Sequence, residues 1–150
     1  MKKLLKNLSA VTMAFAMVLI LTLPANASTS VHDARLYKDG QFDVNSINSN
    51  LSMGDAAIGD ATVRSNGSGY TITIDIAENF KAKGFTGKIT KFTCDDPNVT
   101  TLLQDTNGNG KNDTLIMTTH SLTYPKLFNV EVSISVWIMP INASADLVIF

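Results

Sequence analysis

The 150-residue chain carries 12 Lys and Arg against 13 Asp and Glu, is 45% hydrophobic, and has one cysteine. Three of the basic residues, Lys2, Lys3 and Lys6, sit at the very start, so the remainder is acidic and offers no basic stripe for nucleic acid or for an anionic membrane. A lone Cys94 excludes an internal disulfide; in a strand-like run close to Phe92 it reads as a buried small hydrophobe.

The basic start is followed by an apolar stretch ending in LILTL, then Pro24 and the small residues Ala25 and Ala27. This is the plan of a secretory signal peptide over residues 1–27, cut after Ala27. Ser9 and Thr12 interrupt the apolar run, which argues against a retained anchor. Residues 28–150 are then one exported domain, secreted or associated with the cell surface, with no membrane contact after cleavage and a length that suits a two-layer core.

In "NSINSNLSMGDAAIG" a polar Asn/Ser-rich lead-in suited to capping precedes Leu51, Met53 and Ala56, which supports a turn or two of helix. "ATVR" and "YTITIDI" flank the turn "SNGSG" as a hairpin, with Tyr70, Ile72, Ile74 and Ile76 on one face and Thr71, Thr73 and Asp75 on the other. "AENFKAKG" is expected to add another helical turn before a Gly84 stop. "GKITKFTC" gives a strand, "TTLLQ" and "TLIMTTH" a second hairpin, and "NVEVSISVWIM" and "ADLVIF" a third, joined by "PINAS" with Pro140 at the bend. Seven or eight short strands with Gly, Asn and Ser between them indicate an all-β antiparallel β-sandwich with one short helix.

Enzymatic constellations are sparse, and the chain is expected not to be an enzyme. "GSG" at 67–69 lacks the frame of a nucleophile elbow, and His32 and His120 are the only histidines, without evident triad or zinc partners. The loop "DTNGNGKND" has stronger chemistry. Asp105, Asn107, Asn109, Lys111 through its carbonyl, and Asp113 follow the first positions of an EF-hand loop, with Gly110 at the sharp turn. Ile116 stands where the bidentate Glu belongs, so calcium would be held weakly. The alternative is a Gly/Asn-rich hairpin tip whose residues tolerate left-handed backbone angles.

The last hairpin is anomalous. Val130, Val132, Ile134, Val136 and Ile138 form an inward face, while the outward face runs from Glu131, Ser133 and Ser135 into apolar Trp137 and Met139. With Ile141 these make an expected apolar patch at one end of the sandwich, either covered by a loop or the short helix, or facing a partner.

The order of an "SM" helical segment, the hairpin "DATVRSNGSGYTITIDI", a middle sheet and the last hairpin "VEVSISVWIMPINASADLVIF" resembles the NEAT (near-iron transporter) domain of secreted and surface proteins of Gram-positive bacteria, over residues 30 to 150. The resemblance implies an immunoglobulin-like sandwich that binds haem or a related tetrapyrrole between the short helix and the final hairpin, for iron acquisition and exchange with haem-carrying proteins. It places Ser52 at a propionate, Met53 against the porphyrin, and Trp137, Met139 and Ile141 on the hairpin side. Haem-binding members carry a tyrosine pair on the last strand, where this chain has "NASADLVIF" with Ala143 and Ala145. Iron ligation would then fall to Met139 or Met53, or to His120 and Tyr124 if "HSLTYP" folds near the slot. A non-haem extracellular binding or adhesion module, using the patch for a cell-surface protein or a glycan, is the alternative.

Overall fold

A computed structural model describes residues 27–137 and 139–150. The signal-peptide expectation over residues 1–27 lies outside them except for Ala27.

Alternation of apolar and polar side chains builds nearly every element. Among the described residues, β1 (Thr29–His32), β3 (Ile58–Ser65), β4 (Tyr70–Ile76), β8 (Thr114–Thr119) and β7 (Thr100–Gln104) form one sheet in the order β1-β3-β4-β8-β7. The second sheet runs β2-β10-β9-β6-β5, from β2 (Ala34–Lys38), β10 (Met139–Ile149), β9 (Lys126–Val136), β6 (Phe85–Cys94) and β5 (Phe80–Ala82). Every pairing is antiparallel. The fold is therefore an all-β, two-sheet sandwich, as the strand pattern implies.

The core lies between the sheets. Ile72, Ile74 and Ile76 of β4, with Leu115 and Met117 of β8, meet Val130, Val132 and Ile134 of β9 and Leu147 and Ile149 of β10. Burying each such side chain contributes about 1.5–3 kcal/mol. A second apolar layer covers the outer face of β2 and β10: Tyr37 and Val148 are fully buried, and Phe42 stacks edge-on against both Tyr37 and Phe150.

Four local expectations need correction. The helix is a 3-10 turn of five residues, Met53–Ala57, too short to form a layer. "AENFKAKG" supplies β5, not helix: Phe80 pairs with Gly87 and Ala82 with Phe85, leaving a two-residue turn in which Lys83 (φ 50) and Gly84 (φ 84) are both left-handed. That is the geometry whose twist matches a β-hairpin. "PINAS" is strand as well. Val136 pairs with Met139 and Pro140 with Ser135, so β9 and β10 reverse between Val136 and Met139 and Pro140 lies beyond the bend. Cys94 is half-buried, with burial raising its thiol pKa.

Candidate functional site

The 3-10 turn is tied to an edge. Leu36 of β2 donates its N–H to Asp55 Oδ1 (2.8 Å) and accepts from Ser52 N (2.8 Å), while Lys38 N–H reaches Asn50 O (2.9 Å). Segment 50–55 thus satisfies backbone groups that an open edge strand would expose. Ser52 caps the turn by accepting from Gly54 N (3.3 Å). Gly54 permits the close docking: a Cβ there would meet Leu36 Cδ2 at 3.0 Å and Ile134 Cδ1 at 3.3 Å. Burial holds the Asp55 carboxyl above its ordinary range, against the opposing Leu36 N–H and Arg35.

This docking sets Met53 over the end of the second sheet, where a cleft of about 260 Å³ opens between Met53, Lys83, Phe85, Val136, Met139 and Ile141. Its wall is apolar throughout, so Lys83 contributes its methylene stem and keeps its ammonium off the wall. Met139 is opposite Val136 and Ile141 opposite Ile134, so both project from the same face as the core residues of β9, past the point where the other sheet covers them. Phe85, Met139 and Ile141 remain exposed. Three of these residues, Lys83, Phe85 and Val136, are absent from the expected set. Phe85 shares a face with Gly87 and Ile89, a signal obscured by reading the preceding segment as helix.

The other expected residues divide. Trp137, 85% exposed, stands on the opposite side of the hairpin tip, against Asn79, Thr86, Gly87, Lys88 and Ser135. The sequence pattern groups it with Met139 in one outward patch, but strand alternation ends at Val136 and Met139 begins the return strand on the core-facing side. Ser52 does not line the cleft, and its hydroxyl serves the cap.

His120 and Tyr124 are not near this cleft. Tyr70 pairs with Thr119 at the end of β4 opposite Ile76, which pairs with Ile58 beside the 3-10 turn, and His120 reaches the 66–69 turn through Ser68 O (3.2 Å). Tyr124 precedes β9, whose Lys126 pairs with Ile149, roughly 30 Å along the sheet from Val136. There Tyr124 stacks on His32 at 4.1 Å.

The "DTNGNGKND" loop joins β7 to β8 and turns its carboxylates inward. Asp105 accepts from Gly108 N (2.7 Å), Asn109 N (3.2 Å) and Gly110 N (2.6 Å). Asp113 accepts from Thr106 N (3.0 Å), Thr106 Oγ1 (2.8 Å) and Asn107 N (3.2 Å), and the Thr106 N–H above all holds its carboxyl below the ordinary range. Asn107 and Asn109 donate to Glu78 Oε1 (2.8 and 2.6 Å), and Lys111 Nζ lies 3.5 Å from Glu78 Oε2. Among the described residues no group of three or more His, Cys, Asp or Glu could hold a metal. The arrangement favours the hairpin-tip reading over calcium.

No family model and no curated protein matches the sequence. Among solved structures, the chain is similar to a mutant of IsdX2-NEAT5 in complex with haem, with 12% identity and a TM-score of 0.54 over 83% of this chain and 96% of that one. The fold is NEAT-like. Within it the cleft lies between the 3-10 turn and the β9–β10 hairpin, and the side chains along its wall that can coordinate a metal are the thioethers of Met53 and Met139. An apolar wall with a cation off its edge suits a flat apolar ligand bearing carboxylates.

Proposed function

We propose that the protein is an exported haem- or tetrapyrrole-binding module that seats its ligand in the Met53–Met139 cleft and exchanges it with haem-carrying proteins without performing chemistry. The observation that carries this reading is the unbroken apolar wall between the 3-10 turn and the last hairpin. The NEAT-like fold, shared with a domain in complex with haem, supports it, as does the signal-like N-terminus.

In this reading Phe85, Val136 and Ile141 cover a porphyrin face and exclude water from it. The Lys83 ammonium pairs with a propionate, in place of Ser52, whose hydroxyl is occupied by the cap. Met53 and Met139 offer soft sulfur donors to the iron. Bound haem would supply a metal centre for ligation and exchange, and its release is eased by weak thioether ligation.

Titration of residues 28–150 with hemin, read by the Soret band, tests this. A saturable shift that weakens about tenfold or more in Met139→Ala and Ile141→Ser is expected, which corresponds to a loss of about 1.4 kcal/mol. A wild-type domain that leaves the Soret band of free hemin unchanged would sink the proposal. An alternative, a non-haem binding module, is favoured by the lack of Tyr, His or Cys along the wall; a domain that binds neither hemin nor protoporphyrin IX would support it, whereas protoporphyrin IX bound as tightly as hemin would keep the tetrapyrrole reading without iron ligation.

A further inference from the structure

The second cleft, on the other side of the hairpin tip, is independent of the haem reading. Trp137 begins the reversal between β9 and β10 with φ 57. That conformation suits Gly, Asn or Asp and costs a bulky side chain roughly 1–2 kcal/mol. The same indole is 85% exposed, so no burial offsets the strain. A residue unsuited both to its backbone and to its solvent exposure, with no structural return, points to a binding role.

Its surroundings define the ligand chemistry. The cleft of about 240 Å³ is bounded by Trp137, Asn79, Thr86, Gly87, Lys88 and Ser135. Gly87 borders it through its backbone, between Thr86 and Lys88, since a side chain at that position would point the other way, onto Phe80 and Ile134. Around the cleft stand a carboxamide, two hydroxyls and an amine. The Ser135 hydroxyl donates to Trp137 O (3.3 Å), which leaves its lone pairs free to accept. One aromatic face with an amide, two hydroxyls and a single ammonium about it, and no carboxylate, matches a ring that is apolar on its C–H face and hydroxylated at its rim.

We propose that this cleft binds a pyranose ring of a glycan, stacked on Trp137 and hydrogen-bonded by Asn79, Thr86, Lys88 and Ser135. The site would let the module dock on a polysaccharide while the apolar cleft stays free.

Because Trp137 is the only tryptophan in the chain, its emission reports on this site alone. The domain over residues 28–150 is titrated with the tetramers of β-linked N-acetylglucosamine and of β-linked glucose, and the affinity of each is measured in parallel by calorimetry. A saturable emission change with at least one tetramer is expected, and the responding sugar tells an N-acetylated chain from a plain one. Trp137→Asn should melt no lower than wild type, since Asn suits the turn, yet lose calorimetric binding tenfold or more; Asn79→Ala should weaken it, and Trp137→Phe should retain part of it. No saturable response to either sugar up to about 10 mM, or unchanged binding in Trp137→Asn, overturns the assignment.

Discussion

Asp55 accepts the backbone N–H of Leu36 at 2.8 Å, and through this bond the 3-10 turn is fastened to the edge strand β2. The same carboxylate lies 3.8 Å from Arg35 Nη1, yet burial keeps its pKa raised. The folded state thus holds the proton more tightly than the unfolded chain. The stability this group contributes is fully present below the ordinary carboxylate pKa and is lost as pH rises through the raised folded value. Asp55→Asn keeps an acceptor oxygen and removes the charge, so at pH 7 it should be as stable as wild type or more so. Asp55→Ala leaves the Leu36 N–H without its partner and should cost about 1–2 kcal/mol. Urea denaturation between pH 4 and 8 checks both; Asp55→Asn falling below Asp55→Ala at pH 7 would contradict the assignment.

Much of the sandwich was legible in the sequence because period-2 alternation reports directly on which face is buried. Ile72, Ile74 and Ile76 are buried while Asp75 is exposed, as the pattern requires. What failed was local backbone geometry. "AENFKAKG" carries a helical spacing, but Phe80 finds its burial across the sheet, and tertiary packing overrides propensity in so short a segment. Pro140 drew the last bend three residues too far along, since an edge-tolerated proline and a turn proline look alike. That error grouped Trp137 with Met139, although the turn sends them to opposite sides. Met53, Met139 and Ile141 were brought together as the NEAT resemblance implies, whereas Lys83 and Phe85 arrive from a hairpin that the pattern did not reveal.

The β7–β8 loop should behave as a self-capped tip. Asp105 satisfies three backbone N–H groups, so Asp105→Ala should lower stability by about 1–2 kcal/mol. Asp113 has a lowered pKa, so its contribution is present above the ordinary carboxylate range and lost as pH falls through the folded value. Asp113→Asn should therefore flatten the acid limb of the stability profile. The melting temperature is expected to be the same in chelator and in about 5 mM calcium; a rise with calcium would restore the metal reading.

Thioether donors in the apolar cleft predict a preference for the softer oxidation state. Sulfur of Met53 or Met139 should favour ferrous over ferric haem. The dissociation constant measured anaerobically with reduced haem should be lower than that for hemin, and Met139→Leu should narrow the difference while leaving protoporphyrin IX binding within about twofold. A gap between the two oxidation states that survives both Met53→Leu and Met139→Leu would exclude sulfur ligation.

Lys83 places stability and binding in opposition. It sits at φ 50 in the β5–β6 turn, a conformation that costs a side-chain-bearing residue roughly 1–2 kcal/mol and costs glycine little. Its methylenes line the apolar cleft and its ammonium lies off the wall, where a ligand carboxylate would emerge. Lys83→Gly should then raise the unfolding free energy by about 1 kcal/mol, less than the full strain because glycine also loosens the unfolded chain. The same variant should bind hemin more weakly and lose the wild type's preference for hemin over hemin dimethyl ester, whose propionates are neutral. Chemical denaturation and the paired titrations separate the two effects: a stabilised variant that still prefers the free acid would show that Lys83 serves only the wall.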